Sequence, residues 1–197
     1  MLVTLEGPDG AGKTTVARLL AEELQGRDPL LVREPGGTAF GERVRDLVLH
    51  AAGSVTIGAQ AEAYLFMAAR AELLAEVVGP ALAAGRLVLC DRYHDSTRVY
   101  QGAVGGAEVP WPAAFPHPAL TVLLSVPPAV GLRRQAAAGR GRDRMEGRPL
   151  AFHQAVHDAY LALAAAEPER WLVVDGERPA PDTARWVAAR IEERLTR

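Results

Sequence analysis

Cysteine occurs once in this 197-residue chain, at Cys90. That count excludes an intrachain disulfide, and a lone thiol closing an apolar run reads as a buried structural group. No apolar run approaches the ~20 residues needed to span a bilayer. The first apolar burst begins at Leu2, so no signal peptide and a cytoplasmic location are expected. The formal net charge is −2 and no basic tail or block is present, which argues against a nucleic-acid polymer as partner. Repeats and low-complexity linkers are also missing, although Ala-rich helical stretches are frequent. The most informative scarcity is lysine: the 22 basic residues comprise 21 arginines and one lysine, Lys13.

What is present fits an ordinary globular chain, with 49% apolar and 23% charged residues, and the length suits one well-buried domain. Apolar bursts that read as strands fall at residues 2–5, 30–32, 87–89, 120–126 and 171–174, with helical patterns between them. Five strands alternating with helices predict a mostly parallel sheet covered on both faces, with ligands bound beyond the carboxyl ends of the strands.

The lone lysine lies in Gly7-Pro8-Asp9-Gly10-Ala11-Gly12-Lys13-Thr14-Thr15, the pattern in which glycines let successive backbone N–H groups turn inward around a phosphate chain. A short strand precedes it. Val16, Ala17, Leu20 and Leu24 give the following segment one apolar helical face. The loop therefore sits at a helix N-terminus, whose unpaired N–H groups and positive end favour an anion. Lys13 would reach the outer phosphates of a nucleotide, and Thr14 would help hold Mg²⁺. Elsewhere the chain uses the planar guanidinium of arginine; between phosphate oxygens a compact ammonium is not replaceable by it.

Other unusual residues follow the strands. Arg33-Glu34-Pro35-Gly36-Gly37-Thr38 is a turn leading to a helix with Phe40, Val44, Leu47 and Val48 on one side. Proline and glycines alone would make it a plain connection, but the Arg-Glu pair at a strand end points to a site. A long helix is predicted over residues 57–78. In it Phe66 and Arg70 share a face, and a ring with a guanidinium fork suits a nucleobase as well as a core Phe beside a solvated Arg. The stripe of Leu65, Leu73 and Val77 suits a core or subunit contact. The third strand closes on Asp91-Arg92-Tyr93. Asp91 would hold Mg²⁺ through water if that strand neighbours the first, and Arg92 would take a phosphate.

Residues 96–102, Ser96-Thr97-Arg98-Val99-Tyr100-Gln101-Gly102, form a polar segment, followed by an irregular connection that Trp111 and Phe115 pack down. Pro128 suits the first turn of a helix bearing Arg133 and Arg134. At about residues 139–149, arginines interleaved with glycines (Arg140, Arg142, Arg144, Arg148) predict a cationic lid. His153 and His157 stand four apart without the glutamate or third ligand of a metal site. His50, His94 and His117 carry no assigned chemistry. A last helix near residues 182–195 puts Val187, Ile191 and Leu195 in register.

Taken together, residues 7–15, Arg33 to Thr38, Phe66 with Ala68-Ala69-Arg70, Asp91-Arg92-Tyr93, Ser96-Thr97, Tyr100-Gln101 and Asp143-Arg144-Met145-Glu146 closely resemble the thymidylate kinase family over nearly the whole chain. Val99 departs from the alanine usual before Tyr-Gln. The resemblance implies a P-loop NTPase three-layer α/β fold with a five-stranded parallel sheet flanked by helices. It also implies transfer of the γ-phosphoryl of MgATP to dTMP in dTTP biosynthesis, Mg²⁺ as cofactor, and a homodimer. It would place Phe66 on thymine, Arg70 at its carbonyl edge, and Thr97 and Gln101 around the base, with Ser96 also in the dTMP site. Arg92 would hold the acceptor phosphate, which Arg45 would also approach; Tyr100 would crowd the sugar 2′ position and Asp9 would accept from the 3′-hydroxyl. Glu34 and Pro35 would line the dTMP site. Catalytic arginines would come from the lid, Arg140 and Arg144 ahead of Arg142 and Arg148. Alternatives are a kinase for another nucleoside monophosphate, a silent binding module, and a GTP-dependent switch; the last needs an Asn-Lys-x-Asp motif that a single lysine at position 13 excludes.

Overall fold

A computed structural model describes residues 1–49, 56–138 and 147–196. Arg140, Arg142, Arg144, Asp143, Met145, Glu146, most of the lid and His50 lie outside the described residues. Five parallel strands, β1 (Leu2–Glu6), β2 (Leu30–Arg33), β3 (Val88–Asp91), β4 (Leu120–Ser125) and β5 (Trp171–Asp175), form one sheet in the order β2-β3-β1-β4-β5. The five apolar bursts are these strands. Because β1 pairs with β3 on one side and β4 on the other, the chain reverses its direction of travel across the sheet at β1, which is where an open parallel sheet forms its ligand crevice. Register levels the strand ends there: Leu5 and Arg33 both lie opposite Asp91.

Alternation along β1 decides what each face meets. Val3 and Leu5 join Val122, Leu124 and Val174 in a core against α1 (Lys13–Glu23) and α8 (Ala180–Leu195), through Val16, Leu20, Val187 and Ile191. Leu2, Thr4 and Glu6 point to the other face. There Leu2 packs with Val32, Val88, Cys90 and Leu73, while Thr4 donates to Thr121 Oγ1 at 3.0 Å. Cys90 is buried there as a thiol. A third cluster joins Leu123 and Trp171 to Val156, Tyr160 and Ala164 of α7 (Leu150–Ala166).

The helix expected over residues 57–78 starts later and runs further. It comprises α3 (Ala59–Leu73), a π-helical turn at Leu74–Val78, and α4 (Gly79–Ala83). Pro80 explains the widened turn: it has no N–H to donate and its ring collides with an α-helical carbonyl four residues back, so the ladder changes register just before it. In α2 (Ala39–Leu49) Gly41, Val44 and Val48 are buried, the two valines against Ala69 of α3; Phe40 and Leu47 are exposed, since one narrow stripe suffices against a single helix. Leu195 is likewise exposed at the end of α8. Residues 96–102 are helical, split between α5 (His94–Thr97) and a π-helical stretch, Arg98–Val104, because their polar side chains turn toward a cavity while Val99 faces the core. After β4 comes α6 (Pro128–Ala137), with Pro128 in its first turn as expected.

Candidate functional site

The phosphate loop leaves β1 and enters α1 at Lys13. Gly10 lets this loop touch another backbone: a Cβ on it would lie 2.2 Å from Gly131 O of α6, and a Cβ on Gly131 would lie 2.5 Å from Asp9 O. Two side-chain-free residues thus set α6 directly on the loop. Lys13 is buried, and its Nζ donates to Gly7 O at 3.0 Å and Pro8 O at 2.8 Å. Burial, with Arg92 nearby, lowers its pKa to about 8. The condition set on Asp91 is met, since β1 and β3 are neighbours, and Thr14 Oγ1 donates to Asp91 Oδ2 at 2.6 Å.

A cavity of about 880 Å³ opens above these strand ends. It is lined on one side by Asp9, Gly10, Gly12, Lys13, Thr14 and Thr15, and on the other by Glu34, Pro35, Arg45, Phe66, Arg70, Arg92, Ser96, Thr97, Tyr100 and Gln101, with Asp91 between. Gly7, Pro8 and Ala11 do not line it. The carbonyls of Gly7 and Pro8 hold Lys13 from behind, and Ala11 faces a second cavity.

Arg70 is buried rather than solvated, which removes the reading of a core Phe beside a surface Arg. Its Nη2 pairs with Glu34 Oε2 at 2.6 Å and donates to Thr97 Oγ1 at 3.2 Å. Burial outweighs Arg70 and raises the pKa of Glu34. Arg33 and Glu34, neighbours in sequence, do not act together: Arg33 turns outward to Glu42 at 3.3 Å. Gln101 is oriented by a 3.2 Å bond to Glu62 Oε2, and Arg45 donates to Pro35 O at 3.0 Å.

Arg92 joins the two sides. Its guanidinium pairs with Asp9 and donates to Gly7 O at 3.2 Å and Ser96 Oγ at 3.1 Å. Its backbone has φ 71°, a left-handed conformation that costs a non-glycine residue on the order of 1 kcal/mol or more. Three contacts hold it: Arg92 N–H to Leu5 O, Cys90 Sγ to Arg92 O, and Tyr93 N–H to Glu6 Oε1. Burial would raise the pKa of Asp9, but Arg92 and Lys13 prevail and lower it. Tyr100 donates to the same carboxylate at 3.0 Å.

Several contributors were not foreseen. Glu6 is fully buried behind Arg92, and its Oε2 accepts from Ser96 Oγ at 2.6 Å and Tyr160 OH at 3.1 Å. Its place on the Leu2, Thr4, Glu6 side of β1 was the available signal. Asp95, also buried, pairs with Arg170 at 2.6 Å and Arg98 at 2.9 Å and so fixes α5. His94, given no chemistry from the sequence, is buried against Arg70. The second cavity, about 360 Å³, lies beside the loop between Gly12, Thr15, Arg134 and residues 176–180; Arg134 Nη1 closes one edge on Gly176 O at 2.8 Å. It meets the larger cavity across Gly12, Thr15 and Arg134. His157 Nε2 lies 3.1 Å from Ser125 Oγ, and His153 is buried.

A family model described as thymidylate kinase matches residues 5–185. A thymidylate kinase of Deinococcus radiodurans is 45% identical, with 98% of this chain and 97% of that protein covered. One of Pseudomonas fluorescens is 46% identical over 91% of this chain and 89% of its own. The crystal structure of thymidylate kinase from Ehrlichia chaffeensis superposes with a TM-score of 0.73 at 28% identity, covering 100% of this chain and 98% of that one.

Glu6 gives a pH test. Burial, reinforced by Asp95, raises its pKa from 4.5 to about 7 against the opposing bonds from Ser96 and Tyr93 N–H and the charge of Arg92. The folded protein therefore binds this proton more tightly than the unfolded chain, so the stability it contributes is complete below pH 4.5 and is lost as pH rises through 7. Relative to Glu6→Gln, the wild-type protein is expected to lose up to about 3 kcal/mol between pH 4.5 and 8. Urea denaturation of both proteins at pH 5 and pH 8 measures it; a pH-independent difference would mean that Glu6 titrates normally.

Proposed function

The chain belongs to the thymidylate kinase family, whose reaction is phosphorylation of dTMP to dTDP, and we propose that its two joined cavities hold the two nucleotides of that transfer. The observation that carries the reading is the larger cavity. It brings the phosphate loop and the Phe66, Arg70, Thr97, Tyr100 and Gln101 wall together with Arg92 between them. ATP lays its phosphates along the backbone of the loop and Lys13, which exchanges the carbonyls of Gly7 and Pro8 for phosphate oxygens. Its adenosine enters the second cavity beside Arg134. Thymine stacks on Phe66 and is met at its carbonyl edge by Arg70, with Ser96, Thr97, Gln101, Glu34 and Pro35 completing the wall.

The acceptor oxygen needs no general base, since the second pKa of a phosphate monoester is about 6. The obstacle is repulsion between two polyanions that must meet in line. Arg92 is placed against it, paired with Asp9 until a phosphate or a sugar hydroxyl takes part of that contact. Tyr100, bonded to Asp9, stands against the sugar. Arg45 approaches the acceptor phosphate, and Arg140 and Arg144, outside the described residues, supply the remaining positive charge from the lid. Thr14 and Asp91 fit a Mg²⁺ held largely through water, and that ion would neutralise charge on the phosphoryl oxygens.

Among the described residues no helix is long and apolar enough to cross a membrane. We infer one domain, a cytoplasmic location and a homodimer. Exposed Phe40 and Leu47 of α2 and Tyr64 of α3 support the last, which sedimentation tests; a monomer at micromolar concentration would refute it.

Lys13→Ala is expected to lower kcat at least about a hundredfold with unchanged circular dichroism, because the chain has no second lysine. Near-normal turnover would remove the loop from the mechanism. Since deleting Arg70 alone would strand buried Glu34, the base site is tested with Arg70→Ala/Glu34→Gln. The KM for dTMP should rise roughly tenfold or more while that for ATP holds. Equal loss for both nucleotides would overturn the assignment.

A further inference from the structure

His94 opens α5 and is fully buried, with no place in the lining of either cavity. Its two ring nitrogens face partners of opposite kind. Nδ1 lies 3.2 Å from Arg70 Nη1, and Nε2 lies 3.1 Å from Pro110 O. A guanidinium only donates and a carbonyl only accepts. The ring is therefore the neutral tautomer with its proton on Nε2 and its lone pair on Nδ1 directed at Arg70. Trp111 meets the imidazole edge-on at 4.7 Å between centroids and Phe115 at 5.7 Å, so the ring is clamped in that orientation. Burial, then the charges of Arg70 and Arg98, push its pKa down to about 3, which keeps the lone pair available.

Arg70 is then held by three acceptors on two elements: Glu34 after β2, and His94 and Thr97 at the two ends of α5. Its Nε is buried without a partner among the described residues. A fork whose Nη atoms are held by fixed acceptors has a set direction, and Arg70 lines the larger cavity. We infer that His94 is a positioning residue for acceptor selectivity: as a fixed hydrogen-bond acceptor it sets the angle at which Arg70 addresses the carbonyl edge of a pyrimidine base. The inference rests on the assignment of Arg70 to the base.

The two nitrogens allow a test that separates positioning from bracing. In His94→Asn the amide oxygen takes the place of Nδ1 and the donor to Pro110 is lost. In His94→Gln the amide reaches toward Pro110 and the acceptor for Arg70 is lost, and His94→Leu removes both. The KM for dTMP is expected to rise about tenfold in the Gln and Leu variants and less than about threefold in Asn, with the KM for ATP unchanged and kcat altered less than the KM. The reverse order, with Gln near wild type and Asn impaired, would show that His94 only braces the 105–118 connection and would overturn the proposal. Thermal melts of all three variants accompany the kinetics, and the ¹⁵N spectrum of histidine-labelled wild-type protein gives a reading that needs no variant: His94 should appear as the Nε2–H tautomer, and an Nδ1–H signal refutes the proposal. A normal KM for dTMP in Arg70→Ala/Glu34→Gln would instead overturn the base assignment itself and His94's role with it.

Discussion

The guanidinium of Arg92 joins groups that the chain keeps far apart in sequence: the carbonyl of Gly7 and carboxylate of Asp9 from the phosphate loop, Ser96 from α5, and Tyr160 OH from α7 at 3.4 Å. Glu6 sits behind it and takes the hydrogens of Ser96 and Tyr160. Both hydroxyl oxygens therefore turn their lone pairs toward Arg92. Holding a residue in a left-handed backbone conformation opposes the stability of the fold, and the surrounding hydrogen bonds offset it. Donor and acceptor sides of the cavity are thus related through one rigid cation.

Arginine suits this architecture for a reason that net charge does not express. Arginines beneath the site bond to more than one partner at once: buried Arg70 to Glu34, Thr97 and His94; partly buried Arg170 to Asp95, Thr121 and Glu167. A planar fork can orient several elements simultaneously, whereas an ammonium is a point charge. Buried pairs of this kind add little net stability, because desolvation opposes the attraction, but they penalise any arrangement that leaves one partner alone. Their effect here is to fix α3 and α5 relative to the strand ends.

Local pattern announced the phosphate loop, the five strands and the charged residues that close β2 and β3, because each is written within a few consecutive positions. Glu6 was harder to read: one carboxylate ending an apolar strand looks like a solvent-facing terminus, and only the folded partners Ser96 and Tyr160, some 90 and 154 positions away, make it a buried centre. His94 gave no local signal, since its meaning comes from Arg70 and Pro110. Residues 96–102 read only as a polar segment because a helix whose polar side lines a cavity loses the usual apolar spacing. The wall near Arg134 and residues 176–180 joins α6 to the loop after β5, a juxtaposition that topology alone creates.

The solitary lysine has a consequence outside catalysis. Acylating reagents attack neutral amines, and this protein offers them one side-chain amine, Lys13, with a pKa of about 8 and therefore a substantial neutral fraction in mildly alkaline buffer. Every side-chain acyl-lysine formed on the chain, by laboratory reagent or by metabolic acyl donor, would lie in the phosphate loop, so an increment mapped to Lys13, as distinct from one on the α-amino group of Met1, would report on whether that loop was empty or filled.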